Sequence, residues 1–365
     1  MPFPWRATAL LALAACTHEL PPEPGTSDVD TIPDAGPPER LTLNRGKDAT
    51  PAFTPDGRAI WYAWERLDRS DRDLCLGMLP VTGGTRTHEV CHTTPAANPD
   101  SVNWYTYPAP HPDGRRIAWL RISGLRSATE GGRGEVVLAE IARLDDPSRL
   151  SQLSIFPFQV APGSTTHFHV QPVALQWANY STLVYVGTLV TAFSANGLVQ
   201  DTFYSGREVG TLRLSGNSAV SGFIPGTEEA SGLTVAPDGA LYFTRKGDSL
   251  VYRTTLTGVP VDTVFNFGSG ANGAADFARD PVYVDGAIFA VVGGDVSNEI
   301  YPNISERLQH DGGGGLWRVD GTGPTLIDSL HRWRRPAISP DGRTLVIEGR
   351  DPVTGVTDLY LLRIN

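Results

Sequence analysis

Two histidines flank a phenylalanine in the segment HFH, His167, Phe168 and His169. On an extended backbone the two imidazoles project to the same side and could share a cation, with His310 or His331 supplied from elsewhere in the chain. The same two residues in a loop also read as ordinary polar loop residues, so no metal or other cofactor is expected; His167, His169 and His310 are the candidate ligands if one is bound. The acidic run DRSDRD, Asp68 to Asp73, offers three carboxylates at short spacing. It lacks the glycine and distal glutamate of a calcium loop and reads as a solvated loop. No GxSxG nucleophile elbow occurs, which shifts the expectation from catalysis towards binding.

Cys75 and Cys91 have their midpoint at residue 83, inside the turn sequence TGG. In a two-stranded register centred there, the two face each other at disulfide distance where the pair is not hydrogen-bonded. A disulfide in an oxidising compartment is expected, and two buried free thiols are the alternative.

These residues need strands to hold them, and the chain repeats one hairpin signal. TPDGRAIWYAW, HPDGRRIAWLR, APDGALYFTRK and SPDGRTLVIEG carry Asp56, Asp113, Asp238 and Asp341 before a glycine. QWANYSTLVYVG, with Asn179, and VYVDGAIFAVVGG, with Asp285, fill the two wide gaps and make six copies. Proline presets φ, Asp bonds nearby backbone and Gly takes the left-handed conformation, so each copy bends one strand into the next. A second hairpin follows five of the copies, so a copy builds a four-stranded sheet. After DLYLLRIN only three strands of the last copy are made, and ERLTLNRG, Glu39 to Gly46, reads as the missing fourth. The expected fold is all-β: a six-bladed β-propeller of four-stranded antiparallel blades over residues 40–365, closed by an N-terminal strand pairing with the last blade.

Composition agrees with many short strands and turns: 39 Gly and 29 Pro, 40% hydrophobic and only 19% charged residues. The net charge of −10 provides no electrostatic footprint for nucleic acid or an anionic membrane surface, and both are excluded as partners. The turns inside each hairpin are tight, whereas long connections (92–107, 122–134, 155–172, 189–206 and 293–315) would emerge on one face. Trp104, Tyr105, Tyr107, Phe168, Tyr301 and Trp333 lie in or beside them and as a group are the candidate ligand contacts, although any one of them taken singly reads better as packing within a blade or cover for a hydrophobic seam.

The first sixteen residues, MPFPWRATALLALAAC, join one early arginine to an apolar run too short to span a bilayer. LAAC, Leu13 to Cys16, resembles the lipobox of bacterial lipoproteins, which implies lipidation of Cys16 after removal of residues 1–16 as a signal peptide. Thr17 follows the cysteine, as in lipoproteins sorted onward to the outer membrane. Residues 17–39 hold six prolines, six acids and no Lys or Arg, and read as a disordered tether.

The SPDG hairpin followed by the strand DLYLL resembles the repeat of TolB-type β-propellers, and the resemblance covers residues 40–365. The α/β domain that precedes the propeller in TolB has no counterpart here, so a TolB-like role does not carry over. The expectation is a monomeric, lipid-anchored envelope protein facing periplasm or exterior, touching the membrane only through its anchor. It would bind an envelope protein, peptide or glycan without catalysis. Some propellers that resemble TolB are metal-dependent sugar lyases, which keeps a metal-dependent lyase or hydrolase on an extracellular polysaccharide as the alternative.

Overall fold

The computed structural model describes residues 38–43, 46–67, 74–92, 101–125, 133–144, 150–154, 163–195, 198–215, 218–245, 247–268, 277–293, 314–350 and 356–364. The chain divides into Met1–Ile32 and Pro33–Asn365. The first unit, with Cys16, and most of the tether lie outside the described residues, as do Tyr301, His310 and the acidic run 68–73.

β1 (Glu39–Arg40) leads into a first antiparallel sheet of β2 (Asp48–Phe53), β3 (Ala59–Glu65), β4 (Leu74–Pro80) and β5 (His88–Val90). A second sheet holds β6 (Ser101–Pro110), β7 (Arg116–Leu125), β8 (Arg133–Glu140) and β9 (Ser151–Ser154). The third holds β10 (Thr165–Asn179), β11 (Thr182–Ala195), β12 (Leu198–Ser215) and β13 (Ser218–Phe223). The fourth holds β14 (Ala230–Val235), β15 (Leu241–Arg245), β16 (Leu250–Thr254) and β17 (Asp262–Asn266). The remaining strands, β18 (Phe277–Val284), β19 (Ala287–Gly293), β20 (Gly314–Asp320), β21 (Gly323–Ile338), β22 (Thr344–Arg350) and β23 (Thr357–Arg363), form one seven-stranded sheet with β1 at its edge.

The repeated turn works as its chemistry predicts. In the first copy the Gly57 N–H donates to the Thr54 carbonyl at 2.9 Å, the Arg58 N–H donates to Asp56 Oδ1 at 3.1 Å, and Gly57 has φ +70°. Gly342 repeats the bond to Ser339 at 2.9 Å and Arg343 the bond to Asp341 at 3.1 Å. In the degenerate third copy Asn179 takes the acid's place, its Oδ1 accepting from the Ser181 N–H at 2.9 Å.

The strand after each turn is apolar on both faces, because each face is buried against a different sheet. In β3, Trp61 and Ala63 pack with Ile117 and Trp119 of β7, while Ile60 and Tyr62 pack with Val346 and Leu359 of β22 and β23. Alternation continues in β7, where Ala118 and Leu120 turn to Leu183 and Tyr185 of β11, and in β11, where Val184 and Val186 turn to Leu241 and Phe243 of β15. Tyr242 then meets Ile288 and Ala290 of β19, and Phe289 and Val291 meet Leu345 and Ile347 of β22. A one-residue slip in any of these strands would exchange its two buried sets.

Two features differ from the sequence expectation. The last two copies share one sheet because β21 pairs first with β20 (Val319↔Pro324) and then with β22 (Ile338↔Leu345). No glycine or proline interrupts it between Pro324 and Pro336, so nothing breaks the strand where the first four sheets give way to connections. The connections expected as long loops are partly strand as well: β11 runs to Ala195 and β12 begins at Leu198, which leaves two residues between them. Pairing is how a long surface excursion satisfies its backbone polar groups.

β1 pairs antiparallel with β23, Glu39↔Leu361 and Arg40↔Tyr360, and the Leu41 N–H donates to the Leu359 carbonyl at 2.7 Å. Arg40 also forms an ion pair with the buried Asp358.

Candidate functional site

The strand ahead of each repeated turn carries a β-bulge at a comparable place. The register shifts fall between Ala49 and Ala52, Thr106 and Ala109, Val173 and Gln176, Ala230 and Gly232, Arg279 and Val282, and Arg334 and Ala337. Inside five of these bulges a non-glycine residue takes positive φ: Thr50 (50°), Tyr107 (50°), Ala174 (56°), Asp280 (49°) and Arg335 (43°). Such conformations cost about 1–3 kcal/mol each and persist where the surroundings fix them. Four of the five precede a proline: Pro51, Pro108, Pro281 and Pro336. Proline is tolerated inside a sheet at a bulge, since no ladder N–H is needed there.

The bulges bring polar groups of neighbouring sheets together. The Tyr107 N–H donates to Thr50 Oγ1 at 3.1 Å, joining β6 to β2, and Trp177 Nε1 donates to the Ala109 carbonyl at 2.9 Å, joining β10 to β6. Gln176 spans to β14, accepting from the Val235 N–H at 3.0 Å and donating to the Leu233 carbonyl at 3.3 Å. At Gly232 the β14 backbone approaches β18 so closely that a Cβ would lie 2.7 Å from the Asp280 nitrogen, so only glycine fits. The Arg335 N–H donates to Asp280 Oδ2 at 3.1 Å, joining β21 to β18. Arg335 Nη1 donates to Glu348 Oε2 at 2.8 Å and its Nε to Tyr107 Oη at 3.0 Å, while the Thr50 N–H donates to Glu348 Oε1.

The centre of this belt is the wholly buried Glu348. Burial opposes charge on Arg335, but the Glu348 carboxylate, Tyr107 and Asp280 together hold its pKa above the usual arginine value. Two nearby cations go the other way. Burial, and then the Arg335 guanidinium, bring Arg334 down to about 10. Burial, and then Arg334, bring Lys47 down to about 8, with Glu65 and Glu348 opposing.

A testable consequence concerns Lys47. Its folded pKa lies below the unfolded value near 10.5, so its charge burdens the fold fully below pH 8 and the burden lifts between about pH 8 and 10.5. Lys47→Met should therefore stabilise the protein at pH 7 by a few kcal/mol at most, and the advantage should shrink by more than half at pH 10. The buried Tyr185 hydroxyl, whose pKa burial raises, pulls stability down at the alkaline end in both proteins. Urea unfolding of the pair from pH 7 to 10 isolates Lys47 by difference.

A second feature is an arm. β10, β11 and β12 are 15, 14 and 18 residues long, and β13 pairs with β12 only from Gly210 to Ser215. The stretch Thr165–Val170 pairs with Leu189–Phe193 and Thr188, and β11 in turn pairs with β12 back to Leu198. Among the described residues no strand pairs with the outer edge of β12 from Leu198 to Arg207.

The sequence-chosen residues are scattered over these features. Trp104, Tyr105 and Trp333 are buried, at 3%, 6% and 0% exposure, and offer a ligand no surface. Trp104 packs with Leu74 and Ile122, Tyr105 with Trp119, and Trp333 edge-on to Tyr360. Each covers a seam between sheets or strands, which their size suits. Tyr107 belongs to the belt. The backbone places His167 opposite Thr191 and His169 opposite Leu189 in the arm, with Phe168 between them. His331 lies on β21, away from that pair in the sheet order. Among the described residues no group of three or more His, Cys, Asp or Glu could hold a metal ion. Cys75 and Cys91 are joined by a disulfide with a Cα separation of 4.5 Å, in line with the β4–β5 register Leu76↔Val90.

The belt itself escaped sequence reasoning, though its signal was there: Thr-Pro, Tyr-Pro, Asp-Pro and Arg-Pro each stand six or seven residues ahead of a turn glycine, Gly57, Gly114, Gly286 and Gly342.

No family model matches the chain, and no curated protein matches it in sequence. Among solved structures, the sialidase of Trypanosoma rangeli in complex with the inhibitor DANA aligns over 87% of this chain and 55% of its own at 11% identity, TM-score 0.51. The β-propeller domain of the Trilobed protease from Pyrococcus furiosus aligns over 87% and 95% at 13% identity, TM-score 0.44. Oligogalacturonate lyase from Vibrio parahaemolyticus aligns over 89% and 93% at 10% identity, TM-score 0.46. The chain spans about half the length of the sialidase. Likeness at such identities concerns the fold alone: an all-β chain of antiparallel sheets, four of them four-stranded and one seven-stranded, with β-propeller proteins among its structural neighbours.

Proposed function

We propose that the chain is a lipid-anchored envelope protein whose propeller binds a protein, peptide or glycan without catalysis. In this reading the propeller has six blades of TolB type, β21 serves both the fifth and the sixth, and β1 completes the ring. Cys16 carries the lipid, residues 17–39 are the tether, and the monomeric protein sits on the outer membrane facing periplasm or exterior. The observation that carries the reading is the arm of β10, β11 and β12. Strands of 14 to 18 residues, against the usual five or six, extend a paired ladder, and an edge of such a ladder has main-chain donors and acceptors with which to take up an extended partner.

The test is to shorten the arm by replacing residues 190–204 with an Asn-Gly turn, and to crosslink the intact and shortened proteins in envelope membranes. The shortened protein should keep its melting temperature within a few degrees and lose the captured species. An unchanged set of captured species would sink the arm as the contact surface.

A metal-dependent lyase or hydrolase acting on an extracellular polysaccharide is the second reading. It draws on His167 and His169, two positions apart on β10 before its first register shift. Elemental analysis after purification separates the readings: stoichiometric zinc, manganese or calcium that a chelator removes favours the enzyme.

A further inference from the structure

His111 follows β6 and opens the second copy of the turn, the position that Thr54, Ala236 and Ser339 fill in the other clear copies. The hydroxyls of Thr54 and Ser339 stay within their own turns, donating to Asp56 Oδ1 at 2.6 Å and to Asp341 Oδ1 at 2.5 Å. An imidazole is longer and has a second nitrogen to place. Its ring is wholly buried between the second sheet and the third, edge-on to Trp177 at 4.4 Å and to Tyr180 at 5.5 Å between ring centroids.

Each ring nitrogen faces one donor and one acceptor. Nδ1 lies 3.0 Å from the Asp113 amide nitrogen and 2.9 Å from Asp113 Oδ1. Nε2 lies 3.0 Å from the Tyr180 carbonyl oxygen, in the turn between β10 and β11, and 2.9 Å from Arg116 Nη2. A neutral imidazole carries one N–H and an imidazolium two, so the four contacts cannot all be satisfied together. Among the described contacts, the charged and titratable groups against the ring are Asp113 and Arg116 from its own sheet and Tyr180 from the third. Asp113 stays a carboxylate: burial opposes its charge, but the Arg115 N–H, Arg116 and His111 bring its pKa to about 2.

In the neutral ring the charge-assisted bonds prevail, with Nδ1–H donating to Asp113 Oδ1 and Nε2 accepting from the Arg116 guanidinium. Both partners belong to the second sheet, and the Tyr180 carbonyl receives no proton from the ring. A second proton enters at Nε2, where it repels Arg116 and donates to that carbonyl. Arg116 has room to turn away, since its side chain is 35% exposed and its Nε keeps Asp113 Oδ2 at 2.8 Å.

We infer that His111 is a proton-operated latch between the second and third sheets, serving Asp113 and Arg116 when neutral and holding the Tyr180 carbonyl when protonated. Imidazole is the side chain whose charge ordinarily changes between about pH 5 and 8. The turn at Tyr180 joins the feet of β10 and β11, whose other ends form the arm, so the latch sets how firmly the arm's sheet is seated on its neighbour. It stands on its own contacts, whether or not the arm binds a partner.

The experiment is NMR of the full chain, carrying 15N-histidine and carbonyl-13C-tyrosine, across about pH 5 to 8. Loss of a signal in His111→Gln and in Tyr180→Phe assigns the two residues. At the alkaline end the proton should sit on Nδ1 and Nε2 should be bare; as the pH falls, Nε2 should gain a proton and the Tyr180 carbonyl resonance should move downfield in the same step. Arg116→Met removes the competing donor, so its neutral ring should carry the proton on Nε2 and the Tyr180 movement should fall by at least half. A neutral ring protonated at Nε2 in the unaltered protein would overturn the latch, because Tyr180 would then be held at every pH. So would a ring that does not titrate in this range, a Tyr180 resonance indifferent to that titration, or a Tyr180 movement undiminished in Arg116→Met.

Discussion

Glu348→Ala should lower the unfolding free energy by about 3–5 kcal/mol, the largest loss expected from any single substitution among the polar residues of the described chain. The carboxylate is wholly buried and serves three strands at once: it receives Arg335 of β21, the Thr50 N–H of β2 and belongs itself to β22. Its removal leaves the Arg335 guanidinium without the carboxylate that binds it at 2.8 Å, next to Arg334 and Arg279. It also orphans a buried backbone donor. Glu348→Gln keeps the shape and an acceptor for Thr50 but not the charge, so it should recover the smaller, hydrogen-bond part of the loss. Equilibrium unfolding in urea measures both. A Glu348→Ala protein within 1 kcal/mol of the parent would show that the belt is not a brace.

Loss of the Cys75–Cys91 disulfide should be nearly as costly, at about 3 kcal/mol. The bond closes a loop of 16 residues, for which the chain-entropy argument gives that magnitude. The native side adds little backbone resistance to its loss, because β5 is a three-residue edge strand whose ladder partner among the described residues is β4. With the crosslink gone, His88–Val90 should fray before the sheet unfolds. Cys75→Ser/Cys91→Ser should therefore show a lowered urea midpoint together with fast amide exchange confined to β5. Equal midpoints for the parent, the double variant and the reduced parent would contradict this.

The sequence carried the architecture wherever the chemistry was local. Each turn needs proline, an acid and a glycine in order, so Asp56, Asp113, Asp238 and Asp341 announce their hairpins, and a period-two run buried on both faces must follow. The disulfide was legible for the same reason: one hairpin centre near residue 83 fixes which residues face each other. The aromatic contacts were not legible. Trp104, Tyr105 and Trp333 sit where a loop and a seam have the same composition, and only the packing of a neighbouring sheet makes the difference. The belt was half-legible. Its X-Pro dipeptides recur in register with the turns, but that Arg335 meets Tyr107, 228 positions earlier in the chain, follows only from the arrangement of the sheets.

The unbroken course of β21 also bears on how the molecule can breathe. Strands β18 to β23 share one hydrogen-bonded ladder and behave as a beam, whereas the other sheets meet their neighbours through side chains and a few bridging bonds. Slow opening motions are therefore directed to those softer junctions. Arg335 and Glu348 ride on the beam and Thr50 on the first sheet, so one buried carboxylate acts as a clasp across the junction between them.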